Sequence, residues 1–181
     1  MTHEMQVSDS VVIDADARTI YDQVADPTQM PRWSPENTGA TTRVAQGELP
    51  GPLEKGAVFD GSNRRGLARW RTECVVTAAE PGRRFAFRVR KIGPRTPFIP
   101  GAIASWEYTF EPAGQGTRVT ETWTDLRRIW PDWAAATFDK MATGGRPFAE
   151  YQRGNIARTL ARMKADFEGP EEDPHGADAN S

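Results

Sequence analysis

Apolar and polar residues along this chain alternate with two periods, and the change from one to the other marks its elements. Val7, Asp9, Val11 and Ile13 fall on alternate positions, the period of a strand lying at the edge of a sheet. Asp16 then offers an N-cap for a short helix with Ile20 and Val24 on one side. Asp26-Pro27 starts a second helix, with an acidic cap, a proline at the first helical position and Gln29 placed to complete a capping box. Pro31 and Pro35 keep that helix short.

The middle of the chain returns to the strand period. Strand-like runs fall at 57–62, 67–79, 83–91, 102–111 and 117–126, with a weaker one near 38–46. Turn signals separate them: PGPLEKG, SNRRG, EPGR, GPRTPFIPG and PAGQG. Such spacing leaves no room for the helical crossovers of parallel strands, so the strands form an antiparallel meander. GSNRRG reads as a hairpin turn in which Gly61 and Gly66 supply backbone freedom. A phosphate cradle would need a helix after the glycines, and a strand follows. Asn63 and Arg64 are then placed at a rim.

The last segment has helical spacing. Pro147 suits the first position, and Phe148, Tyr151, Asn155, Ile156, Thr159, Leu160, Met163 and Phe167 recur every three or four residues. Gly154 within that stretch predicts a close neighbour or a bend. The preceding WPDWAAATFDKMATGG predicts a shorter helix, with Trp130 and Trp133 as a flap over one cavity end. A sheet with one apolar face needs a cover, and the long helix is the only element large enough. The class is α+β, with about seven strands and two short helices after the first of them.

Alternation also assigns faces. Ala102, Ala104, Trp106, Tyr108 and Phe110 share the inward face of one strand. Trp70, Thr72, Cys74 and Val76 share that of another, opposite Arg69, Arg71 and Glu73. Phe85, Phe87 and Val89 oppose Arg84, Arg88 and Arg90. Most arginines therefore face solvent on the outer side. In 117–126, Val119 and Trp123 take Glu121 and Asp125 inward with them. A buried carboxylate must be paired, protonated or hydrated. A bulge turning the acids out, an inward arginine, or a wet cavity mouth would each resolve this, and the last two together fit best. Trp33, before Ser-Pro, either plugs a helix–strand corner or meets a ligand. Asn155 needs a hydrogen-bond partner on an apolar stripe, either the backbone beside Gly154 or a pocket group.

Composition narrows the chemistry. Both histidines, His3 and His175, lie in the terminal segments, so no His-based nucleophile or His-ligated zinc is expected inside the domain. GxSxG, GxxxxGK[ST] and CxxC are absent. Cys74 alone forms no internal disulfide, which fits a reducing compartment. No apolar run approaches the ~20 residues that span a bilayer, and the N-terminus lacks a signal-peptide pattern, so cytoplasm is the expected location. Net charge is −2, yet 64–95 carries ten Arg or Lys against Glu73 and Glu80. The acidic, Pro- and Gly-rich end predicts disorder over 169–181, and 1–4 a flexible start.

The phrases ADPTQMPRWSPE, FDGSNRRGLARWRT, VVTAAEPGRRFAFRV and SWEYTFEPAGQGTRVTETW resemble the START-like (SRPBCC) superfamily, in its polyketide cyclase/dehydrase and lipid-transport branch. The resemblance covers 5–168. It implies a helix-grip fold, a curved antiparallel sheet around the C-terminal helix, and a cavity between them. Trp33, Phe59, Asn63, Trp70, Thr72, Phe87, Trp106, Tyr108, Glu121, Trp123, Tyr151 and Asn155 are the expected ligand-binding side chains. The expected ligand is a hydrophobic small molecule, a lipid, sterol or polyketide, bound without a cofactor or metal. An alternative is a polyketide aromatase/cyclase in which Glu121 or Asp125 moves protons while Tyr151 or Asn155 holds an enol oxygen. A third is a protein-interaction module using the arginine-rich outer sheet. Nucleic acid is not expected, because no aromatics interleave with those arginines. Oligomeric state is left open.

Overall fold

The computed structural model describes residues 6–42, 51–127 and 148–169. The expected tails at 1–4 and beyond 169, the Trp130–Trp133 flap and its helix lie outside the described residues. The strands are β1 (Gln6–Ile13), β2 (Asn37–Thr42), β3 (Val58–Arg65), β4 (Ala68–Glu80), β5 (Arg84–Gly93), β6 (Ile99–Ala113) and β7 (Gly116–Asp125). They form one antiparallel sheet in the order β1-β7-β6-β5-β4-β3-β2. Helix α1 (Ala17–Val24) and a 3-10 helix (Pro27–Arg32) follow β1, and helix α2 (Phe148–Glu168) comes last. This is the α+β, helix-grip arrangement expected from the alternation and the resemblance.

Local chemistry starts each helix. The Asp16 carboxylate accepts the backbone N–H groups of Arg18 and Thr19, and α1 buries Ile20, Tyr21 and Val24. Asp26 caps the 3-10 helix through the N–H of Thr28. The reciprocal half of the expected capping box is different: Gln29 reaches the Asp26 side chain at 3.3 Å, while the Asp26 N–H is already donated to Gln23.

Register breaks occur between Glu73 and Cys74, Val76 and Ala78, and Val89 and Lys91. Such bulges bend strands and increase local twist, which curves the sheet around a hollow. They also alter the face assignments. Ala102, expected inward, is exposed, and Ile103 is buried instead, because β6 pairs out of phase beyond Ala104. Glu73, expected on the solvated outer face, is buried: Arg90 at 2.7 Å and Lys91 at 3.0 Å close over it.

Helix α2 lies along β1 and β7. Ile156, Leu160 and Met163 enter the core, while Lys164 donates to the Val12 carbonyl and Glu168 accepts the Asp14 N–H. Gly154 has no close neighbour, since a Cβ there would meet only the Arg158 guanidinium at 3.8 Å. Gly154→Ala is therefore expected to stabilise the protein by about 0.5–1 kcal/mol, seen as a higher urea midpoint with unchanged slope.

The hairpin at GSNRRG is tighter than the sequence suggests. Arg65 pairs with Ala68, so Gly66-Leu67 alone makes the turn, with Gly66 at φ 56°. Gly61 stands inside β3 facing inward, where a Cβ would come within 2.8 Å of Thr72 Oγ1.

Candidate functional site

Between the concave sheet and α2 lies a cavity of about 530 Å³. Every side chain expected to bind ligand lines it except Tyr151. Strand alternation builds the walls: Thr72 and Cys74 from β4, Phe87 and Val89 from β5, Trp106 and Tyr108 from β6, Glu121 and Trp123 from β7. Phe87 stacks on Trp106 with centroids 5.7 Å apart and meets Phe59 edge-on at 5.3 Å. Burial pushes the Cys74 thiol up to about 12, so it stays neutral and serves as apolar wall rather than as a nucleophile.

One acid sits among these walls. Tyr108 and Glu121 are cross-strand partners, and the Tyr108 hydroxyl donates to Glu121 Oε1 at 3.0 Å. Glu121 Oε2 is buried without a hydrogen-bond partner. Burial raises the Glu121 carboxyl to about 8, and the Tyr108 hydrogen bond only partly opposes this. Burial and the neighbouring acid push the Tyr108 phenol well above its ordinary range. At neutral pH Glu121 is thus mainly a carboxylic acid, able to donate a hydrogen bond or a proton into the cavity.

Asp125 is resolved differently. Its carboxylate is held by the Arg127 guanidinium at 2.6 Å and does not line the cavity, whereas the buried Arg127 does. The inward arginine anticipated for the two acids exists, but it serves Asp125 and not Glu121. Arg127→Met would leave Asp125, whose side chain is 13% exposed, with only the backbone N–H of residue 127. A loss of about 2 kcal/mol is expected, part of which is recovered on adding Asp125→Asn, in a double-mutant cycle read by urea unfolding.

The rim joins three elements. Glu36 accepts from Arg65 Nε at 2.5 Å and from the Tyr151 hydroxyl at 2.9 Å. Arg65 also lies 3.9 Å from the centre of the Tyr151 ring and 5.5 Å from that of Trp70. The rim arginine is therefore Arg65, not Arg64, which is exposed and does not line the cavity. Alternation within β3 puts the two on opposite faces. Asn63 reaches Thr72 at 3.4 Å.

On α2, Asn155 Oδ1 accepts from the Arg158 guanidinium at 2.6 Å, a side-chain partner rather than the backbone beside Gly154. Trp33 plugs the corner and also reaches the cavity. One edge lines the cavity, while its indole N–H donates to Asp166 and its ring stacks on Phe167.

Arg65, Arg127 and Gln152 also line the cavity and escaped the sequence reading, while Thr159, placed on the helix stripe, lines it without having been expected to bind ligand. Gln152 and Thr159 lie one turn either side of Asn155, a spacing that had already been used for the apolar stripe and extends to polar residues. Arg127 follows the strand end, where no periodicity applies. Among the described residues no group of three His, Cys, Asp or Glu side chains is placed to hold a metal.

The family model for polyketide cyclase / dehydrase and lipid transport matches residues 4–168. No curated protein matches the chain. Among solved structures, the Polyketide_cyc-like protein Cgl2372 from Corynebacterium glutamicum is 27% identical with a TM-score of 0.58, over 98% of this chain and 100% of that one. A protein from Arthrobacter aurescens is similar at 16% identity and a TM-score of 0.62, covering 96% and 93% of the two chains. DynU16, a protein in the dynemicin biosynthetic locus, is similar at 15% and 0.57, with 92% of this chain matched to 48% of that one. The last two likenesses bear on the fold alone.

Proposed function

The chain belongs to the polyketide cyclase/dehydrase and lipid transport family, and from that premise we propose that it binds a hydrophobic small molecule, a lipid, sterol or polyketide, between sheet and helix. One observation carries this: a cavity of about 530 Å³ with predominantly apolar and aromatic walls and a few placed polar groups. That combination is typical of ligand sites, in which apolar surface supplies affinity and isolated polar groups fix orientation. The neutral Glu121 acid and the Asn155 amide are the groups suited to a carbonyl or hydroxyl oxygen on an otherwise apolar ligand.

Native mass spectrometry of freshly purified protein, followed by organic extraction, tests the proposal. A discrete apolar mass, or saturable displacement of a bound fluorescent fatty acid by sterols or aromatic polyketides, is expected. Failure of every apolar probe to bind would overturn it.

A second reading rests on Glu121 alone. An acid that is neutral near pH 7, with one oxygen unpartnered at a cavity wall, is suited to protonating and deprotonating a carbonyl substrate during ring closure. On this reading the protein is a polyketide aromatase/cyclase, and Glu121→Gln abolishes turnover while leaving ligand affinity within a few-fold. Asp125, tied to Arg127, has no part in it.

A further inference from the structure

Among the described residues, four large apolar side chains stand exposed, and three of them gather at one end of the sheet. Leu67 is fully exposed in the β3–β4 turn, Phe98 is 63% exposed in the β5–β6 loop, and Ile99 is 44% exposed at the start of β6. Pairing of Arg71 with Gly93 puts the turn and the loop at the same end. Arg69, Arg71 and Arg95 stand beside them, with no ion pair to any acid among the described residues. These arginines line a shallow depression next to the cavity, and Asn63, Arg69 and Trp70 border both. Folding gives no reason for this arrangement. Exposed apolar loop tips are unfavourable in water, and clustered arginines repel one another.

We propose that this end of the sheet docks on an anionic lipid surface. Leu67 and Phe98 enter the headgroup–acyl boundary and Arg69, Arg71 and Arg95 meet the lipid phosphates. Charge complementarity selects the partner, because the patch is basic while the chain as a whole carries a charge of −2. Apolar tips on two separate loops suit a fluid layer that each can enter independently. The docked orientation brings the rim at Asn63 and Trp70 to the lipid boundary. Docking depends on the two loop tips and on exposed arginines of β4 and the β5–β6 loop, so it goes beyond the cavity reading and holds whether or not the cavity is filled.

The test is co-sedimentation with vesicles of phosphatidylcholine alone and of equal parts phosphatidylcholine and phosphatidylglycerol. The full chain is expected to pellet with the second only, and less as salt is raised. Arg69→Gln/Arg71→Gln/Arg95→Gln should weaken binding about fivefold for each arginine removed. Leu67→Ser/Phe98→Ser, which keeps every charge, should weaken it about tenfold or more. All substituted side chains are exposed, so melting temperatures should not change. Three results would overturn the proposal: no pelleting with phosphatidylglycerol vesicles, undiminished binding by the charge-preserving variant, or capture by an acidic polypeptide with vesicles left unbound. Failure to find an apolar ligand in the cavity would leave the vesicle result unaffected, so the two proposals fail separately.

Discussion

Glu121→Gln is expected to make the protein more stable at pH 8 by about 4 kcal/mol, and to flatten its stability across the neutral range. In the folded state the carboxyl titrates at about 8 instead of 4.5, because it is buried with only the Tyr108 hydroxyl to favour its charged form. Below pH 4.5 the group is protonated in folded and unfolded chains alike, and wild type and variant should match. Between pH 4.5 and 8 the unfolded chain releases the proton while the folded one keeps it, so wild-type stability falls as pH rises. Glutamine has nearly the same shape, still accepts from Tyr108 and never ionises, so this slope disappears. Urea unfolding of both proteins at a series of pH values provides the check. Parallel curves would show that Glu121 has an ordinary carboxyl and would remove the basis for its role as a neutral donor.

The same substitution separates the two functional readings. A binder that uses Glu121 as a hydrogen-bond donor loses little, because the amide also donates. A cyclase that uses it as an acid loses turnover.

Trp33→Ala is expected to cost about 4 kcal/mol, although the residue also faces the cavity. The indole is 3% exposed, donates to Asp166 at 2.9 Å and stacks on Phe167 at 6.0 Å. It thereby ties the 3-10 corner to the last turns of α2, and its removal leaves a large void at that joint. Trp33→Phe keeps the stacking and loses only the N–H donor, so a cost of about 1–2 kcal/mol is expected. Denaturant unfolding of the two variants is the measurement. If Trp33→Ala unfolds at the wild-type midpoint, the residue is a ligand contact and no plug. Ligand affinity of Trp33→Phe, which stays folded, then reports on the cavity edge separately.

Much of the sheet was legible in the chain because period-2 alternation acts locally. Phe85, Phe87 and Val89 against Arg84 and Arg88 assign β5 its faces, and the structure agrees. Failures cluster at the bulges. Ala102 and Ile103 exchange roles past a register break, and Glu73 is buried where Arg90 and Lys91 fold over it. Ending the strand at 62 and reading 61–66 as a turn left no alternation to separate Arg64 from Arg65, whereas β3 runs to Arg65 and turns that residue to the rim. Gly61 was taken for a turn residue because its company, Ser62 and Asn63, is typical of turns, yet β3 continues past all three.

By itself the sequence determined the α+β class, the antiparallel order and the cover provided by the long helix. Each follows from spacing or from side-chain type, which short-range sterics and burial enforce along a single element. Only the tertiary structure decided what stands opposite each inward group. The Asp125 carboxylate met Arg127 and is held in an ion pair. Glu121, four residues earlier on the same face, met Tyr108 across the β6–β7 ladder and apolar wall elsewhere. A carboxyl's charge depends on the dielectric and the partners around it in three dimensions, and a chain's periodicity carries no information about either.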